Sequence, residues 1–192
     1  MAGIRQFDEG AALERVLEVF WQKGYGPTTM QDLAEATGVQ RGSLYNAYRD
    51  KESLFLHVYD IHKTKYLGEL RAALDRPSLQ QALRSYFDFC IQSMTTGTPS
   101  RGCMTTKTAT DIHSSGEKIH AALKDMADAV EQVLADRLST AEALPQLVLP
   151  PIEAARLIAT LTRGIVFMER IYQDPARLRA TAESMIRALL RA

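Results

Sequence analysis

The sequence predicts an all-α protein with a small N-terminal helical domain, a larger C-terminal helical domain and about nine helices in total. Apolar residues recur at helical spacing along nearly the whole chain. Helix-capping residues and glycine or proline breaks separate these stretches from one another. The length of 192 residues is sufficient for a small domain followed by a larger one. We expect the two domains to cover residues 1–50 and 51–192.

The small domain is predicted to begin with a helix from about Asp8 to Lys23, whose apolar residues fall on one side. Residues 28–59 then predict two short helices joined by a tight turn, followed by the start of a third. Thr29 is placed to cap the first short helix, with Asp32 in the position of a capping box. Gly38 follows where the chain must turn, because glycine adopts the left-handed conformation of a helix C′ position at no steric cost.

The second short helix has an outer face that carries polar side chains and no acid. These side chains can bond phosphates or base edges, and they are Gln40, Arg41, Ser43, Tyr45 and Asn46. Gly42 lies among them, and its backbone can lie close to DNA because it has no side chain. A helix-turn-helix presents one helix to the DNA major groove in this way. The pattern therefore predicts sequence-specific DNA binding, and an ordinary helical hairpin is the alternative interpretation.

A long helix from Lys51 to Leu74, capped by Asp50, is predicted to join the two domains. Arg76-Pro77 interrupts the helical pattern, and Ser78 then opens a new capping box with Gln81. The larger domain is expected to contain five helical segments, which are Ser78 to about Met94, Cys103 to Ile112, Glu117 to Leu138, Ile152 to Tyr172 and Pro175 to Leu190.

The stretch from Val19 to Val58 resembles the DNA-binding domain of TetR-family transcriptional regulators. The matching residues are Phe20, Gly24-Tyr25, Thr28-Thr29, Asp32-Leu33-Ala34, Gly38-Val39, Gly42, Ser43-Leu44-Tyr45, Tyr48, Lys51-Glu52 and Leu54-Phe55. The resemblance implies a homodimeric, ligand-responsive repressor that binds a palindromic double-stranded operator and is released by a small-molecule effector. It also implies a C-terminal domain for effector binding and dimerisation, and it implies no cofactor or metal. Gln40, Asn46 and Tyr48 depart from the family's usual residues, which bears on the operator sequence.

The net charge is zero, so DNA binding must depend on a local positive patch. Arg41, Arg49 and Lys51 supply this patch, with Arg5 as an additional phosphate contact. We expect Arg41 and Gln40 to read base edges. The other expected DNA contacts, most of which fix the register on phosphates, are Thr29, Gly42, Ser43, Tyr45, Asn46, Tyr48 and Lys51.

The predicted helix Ile152–Tyr172 carries two apolar stripes, although a helix with one buried face needs only one. The second stripe indicates a partner, and TetR-like proteins dimerise through a four-helix bundle of their last two helices. The expected interface residues are Ile152, Ala155, Ala159, Thr162, Val166, Leu178, Ala182, Met185 and Leu189. Burial of the helix at the centre of its own domain is the alternative.

Aromatic and methionine side chains in the middle of the chain are expected to form an adaptable apolar cavity for the effector. The expected pocket residues are Tyr86, Phe87, Cys90, Met94, Cys103, Met104, Lys107, Met126, Phe167 and Met168. The pocket itself is implied mainly by the family resemblance. For each residue taken singly, packing in the core is the alternative that its type favours.

Cys103 is expected at the start of a helical segment, where the helix dipole and nearby Arg101 and Lys107 favour its thiolate. The Gly102-Cys103 pair is also similar to a stretch in one branch of the family, some members of which sense electrophiles through cysteine. A thiol-based redox or electrophile-sensing repressor is therefore the alternative function. A small residue packed under a helix end is the structural alternative for this cysteine.

Composition and motifs argue against other classes of function. No apolar run approaches the roughly 20 residues of a membrane span, and the N-terminus lacks a signal-peptide core, so we expect a cytoplasmic protein. The two cysteines and four histidines have no spacing typical of a disulfide framework or a metal site. No phosphate-binding loop or hydrolase elbow is present. A cysteine hydrolase using Cys103 and His113 and a partner-binding helical protein are the remaining alternatives.

Overall fold

The computed structural model describes residues 8–97, 100–111 and 116–191, so the predicted roles of Arg5 and His113 lie outside the described residues. The described residues form nine α-helices, a 3₁₀ turn at Leu144–Gln146 and no β-strand, which confirms the all-α prediction. The helices are α1 (Glu9–Lys23), α2 (Met30–Thr37), α3 (Arg41–Tyr48), α4 (Lys51–Leu74), α5 (Leu79–Thr95), α6 (Met104–Thr110), α7 (Glu117–Leu138), α8 (Pro151–Tyr172) and α9 (Pro175–Leu189). None of these helices is both long enough and apolar enough to cross a membrane.

The chain divides into two compact units. Unit 1 comprises Met1–Thr64 and Met104–Leu123, and unit 2 comprises Lys65–Cys103 and Lys124–Ala192. Helices α4 and α7 therefore contribute residues to both units, and α6 belongs with the N-terminal helices. The predicted functional boundary at residue 50 differs from this division and stays a prediction, because compactness alone does not show where DNA binding ends.

An aromatic cluster holds α1 to the first half of α4 in unit 1. The ring of Phe55 meets the rings of Phe20 and Tyr25 edge-on, with 5.1 Å between centroids in both pairs. The same ring stacks on Tyr59 at 5.4 Å. All four side chains are buried, and such aromatic pairs contribute roughly 0.5–1.5 kcal/mol each beyond their buried area. This cluster gives α2, which packs on α1, and α3, which packs on α2, a rigid base.

Lys107 attaches α6 to the rest of unit 1. Its ammonium group donates to the backbone oxygens of Trp21 at 2.6 Å and Gln22 at 2.9 Å. These oxygens lie in the last turn of α1, where carbonyls lack helical partners and the helix dipole favours a cation. The Tyr59 hydroxyl also bonds the Thr105 hydroxyl of α6 at 2.8 Å. Lys107 is therefore a structural residue of unit 1, which corrects its prediction as an effector-pocket residue.

Helix α5 packs against α8 and α9 in the core of unit 2. Ser78 caps its start by accepting a hydrogen bond from the Gln81 N–H at 3.3 Å, as the sequence predicts. The Tyr86 hydroxyl on its buried face bonds the Thr162 hydroxyl of α8 at 3.0 Å. The remaining residues of this buried face are Leu79, Ala82, Leu83, Phe87, Cys90, Ile91 and Met94. Because this face is buried along its whole length, α5 forms the centre of unit 2.

Candidate functional site

The start of α2 is fixed by the predicted capping box. The Thr29 hydroxyl accepts from the Asp32 N–H at 3.2 Å and donates to the Asp32 carboxylate at 2.9 Å. The Lys23 ammonium, which donates to Asp32 at 2.6 Å, and the Thr29 N–H together hold the pKa of this carboxyl at about 2. The carboxylate therefore stays charged at neutral pH, and the one proton of the Thr29 hydroxyl is used inside the protein. Thr29 positions α2, and its predicted phosphate contact stays a prediction.

The turn between α2 and α3 has the glycine geometry that the sequence predicts. Gly38 has φ +69°, in the left-handed region, so a side chain at this position would strain the backbone. Thr37 closes the turn, because its hydroxyl donates to the Leu33 oxygen at 2.7 Å and accepts from the Val39 N–H at 3.2 Å. Val39 is buried beneath the turn. These contacts fix the position of α3 relative to α2.

Helix α3 turns almost its whole surface to solvent. Leu44 is its one buried residue, with 1% of its surface exposed. Six of the predicted DNA-contacting residues lie on α3 or at its N-cap and are exposed, and they are Gln40, Arg41, Gly42, Ser43, Tyr45 and Asn46. A short helix that buries one leucine and exposes most of its other side chains is suited to enter the major groove of DNA.

Arg41 and Tyr45 form a pair on this exposed face of α3. The Arg41 guanidinium lies 5.4 Å from the centre of the Tyr45 ring and donates to the Tyr45 hydroxyl at 3.4 Å. The two residues are one turn apart, where side chains of a helix meet. Such an exposed cation–π pair is worth only about 0.5–1 kcal/mol. Its effect is to hold the guanidinium and the phenol side by side before any ligand binds.

Gly42 leaves an open space in the middle of the exposed face. A Cβ atom added at this position would meet no protein atom within 4 Å. Its φ is not positive, so nothing in the protein's own conformation requires glycine there. The fold therefore does not explain this glycine, whereas close approach of a DNA backbone would explain it.

The Lys51 ammonium group bonds the protein's own backbone, and its predicted role as a phosphate contact stays a prediction. Its ammonium group donates to the backbone oxygens of Tyr25 at 2.9 Å, Gly26 at 3.2 Å and Thr28 at 2.8 Å. It also lies 4.3 Å from the centre of the Tyr25 ring. Burial lowers the pKa of Lys51. Because an ammonium group has three N–H donors, all of them are used to hold the loop that precedes α2.

Tyr48 and Arg49 end α3 with structural roles that the sequence did not reveal. The Tyr48 hydroxyl donates to the Glu9 carboxylate of α1 at 2.8 Å, so this side chain ties α3 to α1, and its predicted DNA contact stays a prediction. Arg49 has φ +68°, an unfavourable region for a residue with a side chain. Asp50 then caps α4 by accepting from the Ser53 N–H at 2.7 Å. The side chain of Arg49 is exposed and still contributes charge to the surface near α3.

The predicted effector-pocket residues fall into three groups. Tyr86, Phe87, Cys90, Met94 and Met126 are buried in unit 2, where Cys103 is half-buried, whereas Met104 and Lys107 belong to unit 1. Phe167 and Met168 are 63% and 45% exposed on α8, so their prediction as walls of an enclosed cavity is wrong. An open pocket of about 210 Å³ lies elsewhere in unit 2, and it is lined by Arg71, Leu74, Asp75, Val133 and Arg137. The buried residues around Tyr86 and Cys90 lie together in unit 2, and their role as the candidate effector site stays a prediction.

Arg163 and Tyr66 belong to this candidate site, although the sequence analysis missed both. The Arg163 guanidinium donates to the Cys103 thiol at 3.3 Å. The Tyr66 hydroxyl and the Cys90 thiol lie 3.6 Å apart. We refer to Arg163, Tyr66, Tyr86, Cys90 and Cys103 as the Arg163 cluster. The signal that could have revealed it is an arginine in the middle of the apolar segment from Leu157 to Met168.

The predicted dimer interface requires a correction on α8 and α9. Ala155, Ala159, Thr162 and Val166 are buried inside unit 2, as are Leu178, Ala182 and Leu189 of α9, while Met185 is half-buried. These side chains are packed against their own chain and are not available to a partner. The other stripe of α8 is exposed instead, and it carries Leu157, Gly164, Phe167, Met168, Ile171 and Tyr172. We call this stripe the outer face of α8; Ile152 is also exposed but lies on another side of the helix.

Two family descriptions match the chain. "Bacterial regulatory proteins, tetR family" matches residues 13–58, and "Tetracyclin repressor-like, C-terminal domain" matches residues 79–185. The first match covers the helix-turn-helix of unit 1, and the second runs from α5 into α9. Together they cover most of the chain and both parts of its fold.

Individual proteins show the same similarity. The HTH-type transcriptional repressor ComR of Escherichia coli (strain K12) is 31% identical over 147 residues, which are 76% of this chain and 69% of that protein. A second similar protein is a cysteine mutant of the TetR family transcriptional regulator CifR, solved in complex with 26bp double-strand operator DNA. Its sequence is 25% identical to this chain, and its structure superposes with a TM-score of 0.85 over 98% of this chain and 100% of the CifR chain. The reduced form of Escherichia coli NemR has a TM-score of 0.85 at 18% identity, over 95% and 96% of the two chains, and shows the fold alone.

Proposed function

The chain belongs to the TetR family of bacterial transcriptional regulators, and on that basis we propose that it is a cytoplasmic, homodimeric repressor that a small-molecule effector releases from a palindromic operator. The observation that carries the DNA-binding part of this proposal is the exposed, acid-free outer face of α3. The similar protein ComR is named a repressor, and the similar protein CifR binds operator DNA. Both similarities support the same function for this chain.

In the proposed complex, α3 enters the major groove of the operator. Arg41 and Gln40 read base edges, because arginine and glutamine make bidentate contacts to guanine and adenine. Ser43, Tyr45 and Asn46 bond phosphates and fix the register of the helix. Gly42 permits close approach of the helix to the DNA backbone. The net charge of zero makes each half-site contact weak, so two copies are needed for tight binding.

The outer face of α8 is the proposed dimer interface. Leu157, Phe167, Met168, Ile171 and Tyr172 are each at least 44% exposed in the single chain. Exposed apolar residues concentrated on one stripe indicate a protein partner, and a second copy of the same helix is self-complementary about a two-fold axis. Gly164 lies on this stripe with open space around it, which permits close approach of the two helices. A two-fold dimer then matches the symmetry of a palindromic operator.

The effector site is proposed at the Arg163 cluster in unit 2. A ligand that prefers one arrangement of the surrounding helices shifts the population towards that arrangement. Helix α4 continues from unit 1 into unit 2 and contains no proline, so it can transmit a shift to the residues that carry α3. The spacing of the two α3 helices in the dimer then no longer matches the operator half-sites.

Sensing through the Cys103 thiol is the second candidate function. The contact between Arg163 and Cys103 favours it, because a cation beside a thiol favours the thiolate, which is the nucleophilic form. Cys103 is also half-buried and not fully enclosed. In contrast, Cys90 is fully buried, and burial raises its pKa to about 11, so it stays an inert thiol at neutral pH. The alkylation experiment described below distinguishes this candidate from ligand binding.

Selection from a randomised duplex library tests the proposed function. We expect purified protein at physiological salt to enrich a two-fold-symmetric motif, because a dimer presents two identical α3 helices. Enrichment of a single, asymmetric half-site would contradict the dimeric operator. Retention of DNA without any motif would contradict sequence reading, since phosphate contacts alone carry no sequence information.

A further inference from the structure

Arg163 carries a positive charge that the described protein does not balance with a carboxylate. Its side chain is half-buried on α8, and the described residues form no ion pair with it. The Cys103 thiol at 3.3 Å is its one hydrogen-bond partner in the described part of the chain. A guanidinium group has five N–H donors, so most of its donors remain available for a ligand.

The groups around Arg163 are polar but neutral at physiological pH. Burial raises the pKa of Tyr66 and of Tyr86 well above the ordinary value, and burial raises the pKa of Cys90 to about 11. These phenols and this thiol therefore keep their protons. The Tyr86 hydroxyl is held by the Thr162 hydroxyl at 3.0 Å. Tyr66, Tyr86 and Cys90 therefore supply no negative charge to Arg163, and this partly buried cation is stabilised when an anion joins it, either the Cys103 thiolate or a bound ligand.

We infer that the Arg163 guanidinium is an anion site, and that the effector of this repressor is a small organic acid whose carboxylate binds Arg163. The inference rests on the proposed function, because it names the chemical class of the proposed effector. The planar fork of a guanidinium group matches the two oxygens of a carboxylate. Phe87, whose ring centroid lies 5.2 Å from that of Tyr86, and Met94 are buried apolar residues of α5, and we expect the apolar body of such an acid to lie against them.

Helix α8 also fixes the segment that carries Cys103. The Ser100 hydroxyl donates to the buried Glu169 carboxylate at 2.6 Å. Gly102 has φ +66°, and a Cβ atom there would lie 2.7 Å from the Arg170 guanidinium, so the segment fits closely against this helix. Cys103 is therefore held beside Arg163, so the rate at which its thiolate is alkylated depends on what is bound to Arg163.

Two alkylating agents of similar size and different charge test the anion site. In both reactions the Cys103 thiolate attacks the methylene carbon, a C–S bond forms and iodide leaves. Iodoacetate brings a carboxylate to Arg163 and iodoacetamide brings a neutral amide, so the ratio of their rates measures anion binding and cancels any change in thiol reactivity. We expect Arg163→Gln to lower the iodoacetate-to-iodoacetamide ratio at Cys103 about tenfold, since hydrogen bonds to charged groups have this strength.

The controls separate a local anion site from general electrostatics. Arg156→Gln removes an exposed guanidinium from the same helix and is expected to leave the ratio unchanged within about twofold. Arg163→Lys keeps the charge and is expected to retain most of the preference. In the wild type, acetate should slow alkylation by iodoacetate and acetamide should not, which tests the site without any substitution. Equal ratios in the wild type and Arg163→Gln, with no competition by acetate, would overturn the anion site.

Operator binding of the two alkylated proteins then tests the effector class. An S-carboxymethyl group at Cys103 places a carboxylate beside Arg163, so we expect it to weaken operator binding at least about tenfold more than the neutral S-carbamidomethyl group does. Equal weakening by both adducts would overturn the organic-acid assignment and support thiol sensing. Failure of the unmodified protein to bind any operator would instead contradict the proposed function, which is a separate outcome.

Discussion

Replacing Met168 with glutamate is expected to convert the dimer to a monomer and to abolish operator binding at physiological salt. Met168 lies on the outer face of α8 and is 45% exposed in the single chain. The two-fold axis of a dimer would bring two such substitutions into one apolar interface, where unpaired buried charges cost several kcal/mol. Dimerisation should weaken at least about a hundredfold, as measured by light scattering after gel filtration over a range of concentrations.

Ile152→Glu is the matched control for this substitution. Ile152 is 44% exposed on the same helix, but it lies about 160° around the helix axis from Met168 at 3.6 residues per turn. We expect this variant to remain dimeric and to bind the operator like the wild type. If Ile152→Glu dissociates the dimer and Met168→Glu does not, the interface lies on the side of α8 that contains Ile152, and the outer face has another role.

Replacing Gly42 with alanine is expected to weaken DNA binding at least about tenfold while making the free protein more stable. The added Cβ atom meets no protein atom within 4 Å, and alanine is favoured over glycine in a helix interior by about 1 kcal/mol, which is the upper limit for Gly42 in the first turn of α3. In the proposed complex the same atom would meet the DNA backbone or prevent its close approach. Thermal unfolding and fluorescence anisotropy with the selected operator measure the two effects separately.

Gly68→Ala provides the control for the stability effect. Gly68 is an exposed glycine of α4, and a Cβ atom there also meets nothing within 4 Å. This variant should gain a similar stability and keep the operator affinity of the wild type. Equal operator affinities for Gly42→Ala and the wild type would show that α3 does not approach DNA at Gly42.

Local sequence signals predicted most of the fold. The ends of α4 at Lys51 and Leu74 and the ends of α7 at Glu117 and Leu138 are those that the pattern indicates. The capping box of Thr29 and the left-handed turn at Gly38 are also present as predicted. These features depend on residues within one or two helical turns of one another, so the sequence contains the information that determines them.

The choice between the two stripes of α8 was not available from the sequence. Both stripes are apolar. Helical spacing indicates that both faces are buried, but it does not show which face packs against the same chain and which packs against a partner. The structure buries the stripe with Ala155 and Thr162 under α5 and α9 and exposes the stripe with Phe167 and Met168. The small residues on the buried stripe allow close packing within one chain as well as between two chains, so residue size does not decide between the stripes.

The sequence also could not predict which partners the long charged side chains bind. Lys51 follows the helix-turn-helix in the sequence, which suggested a phosphate contact, yet it is held by the carbonyls of Tyr25, Gly26 and Thr28. These carbonyls point at Lys51 only because of the fold of their loop. Arg163 was overlooked for a related reason, since its contact with Cys103 joins residues 60 positions apart. Flexible cationic side chains take partners that only the tertiary structure determines.

Selection with an altered α3 tests whether this helix reads the base sequence of the operator. The same randomised duplex library is presented to the wild type and to Arg41→Ala, whose guanidinium is exposed and contacts only Tyr45 in the described structure. We expect Arg41→Ala to recover the wild-type motif with the preference relaxed at one symmetric position in each half-site, because a bidentate arginine contact discriminates by about 1–3 kcal/mol. Recovery of an unchanged motif by Arg41→Ala would contradict base reading by Arg41, and a motif changed at asymmetric positions would contradict a two-fold complex.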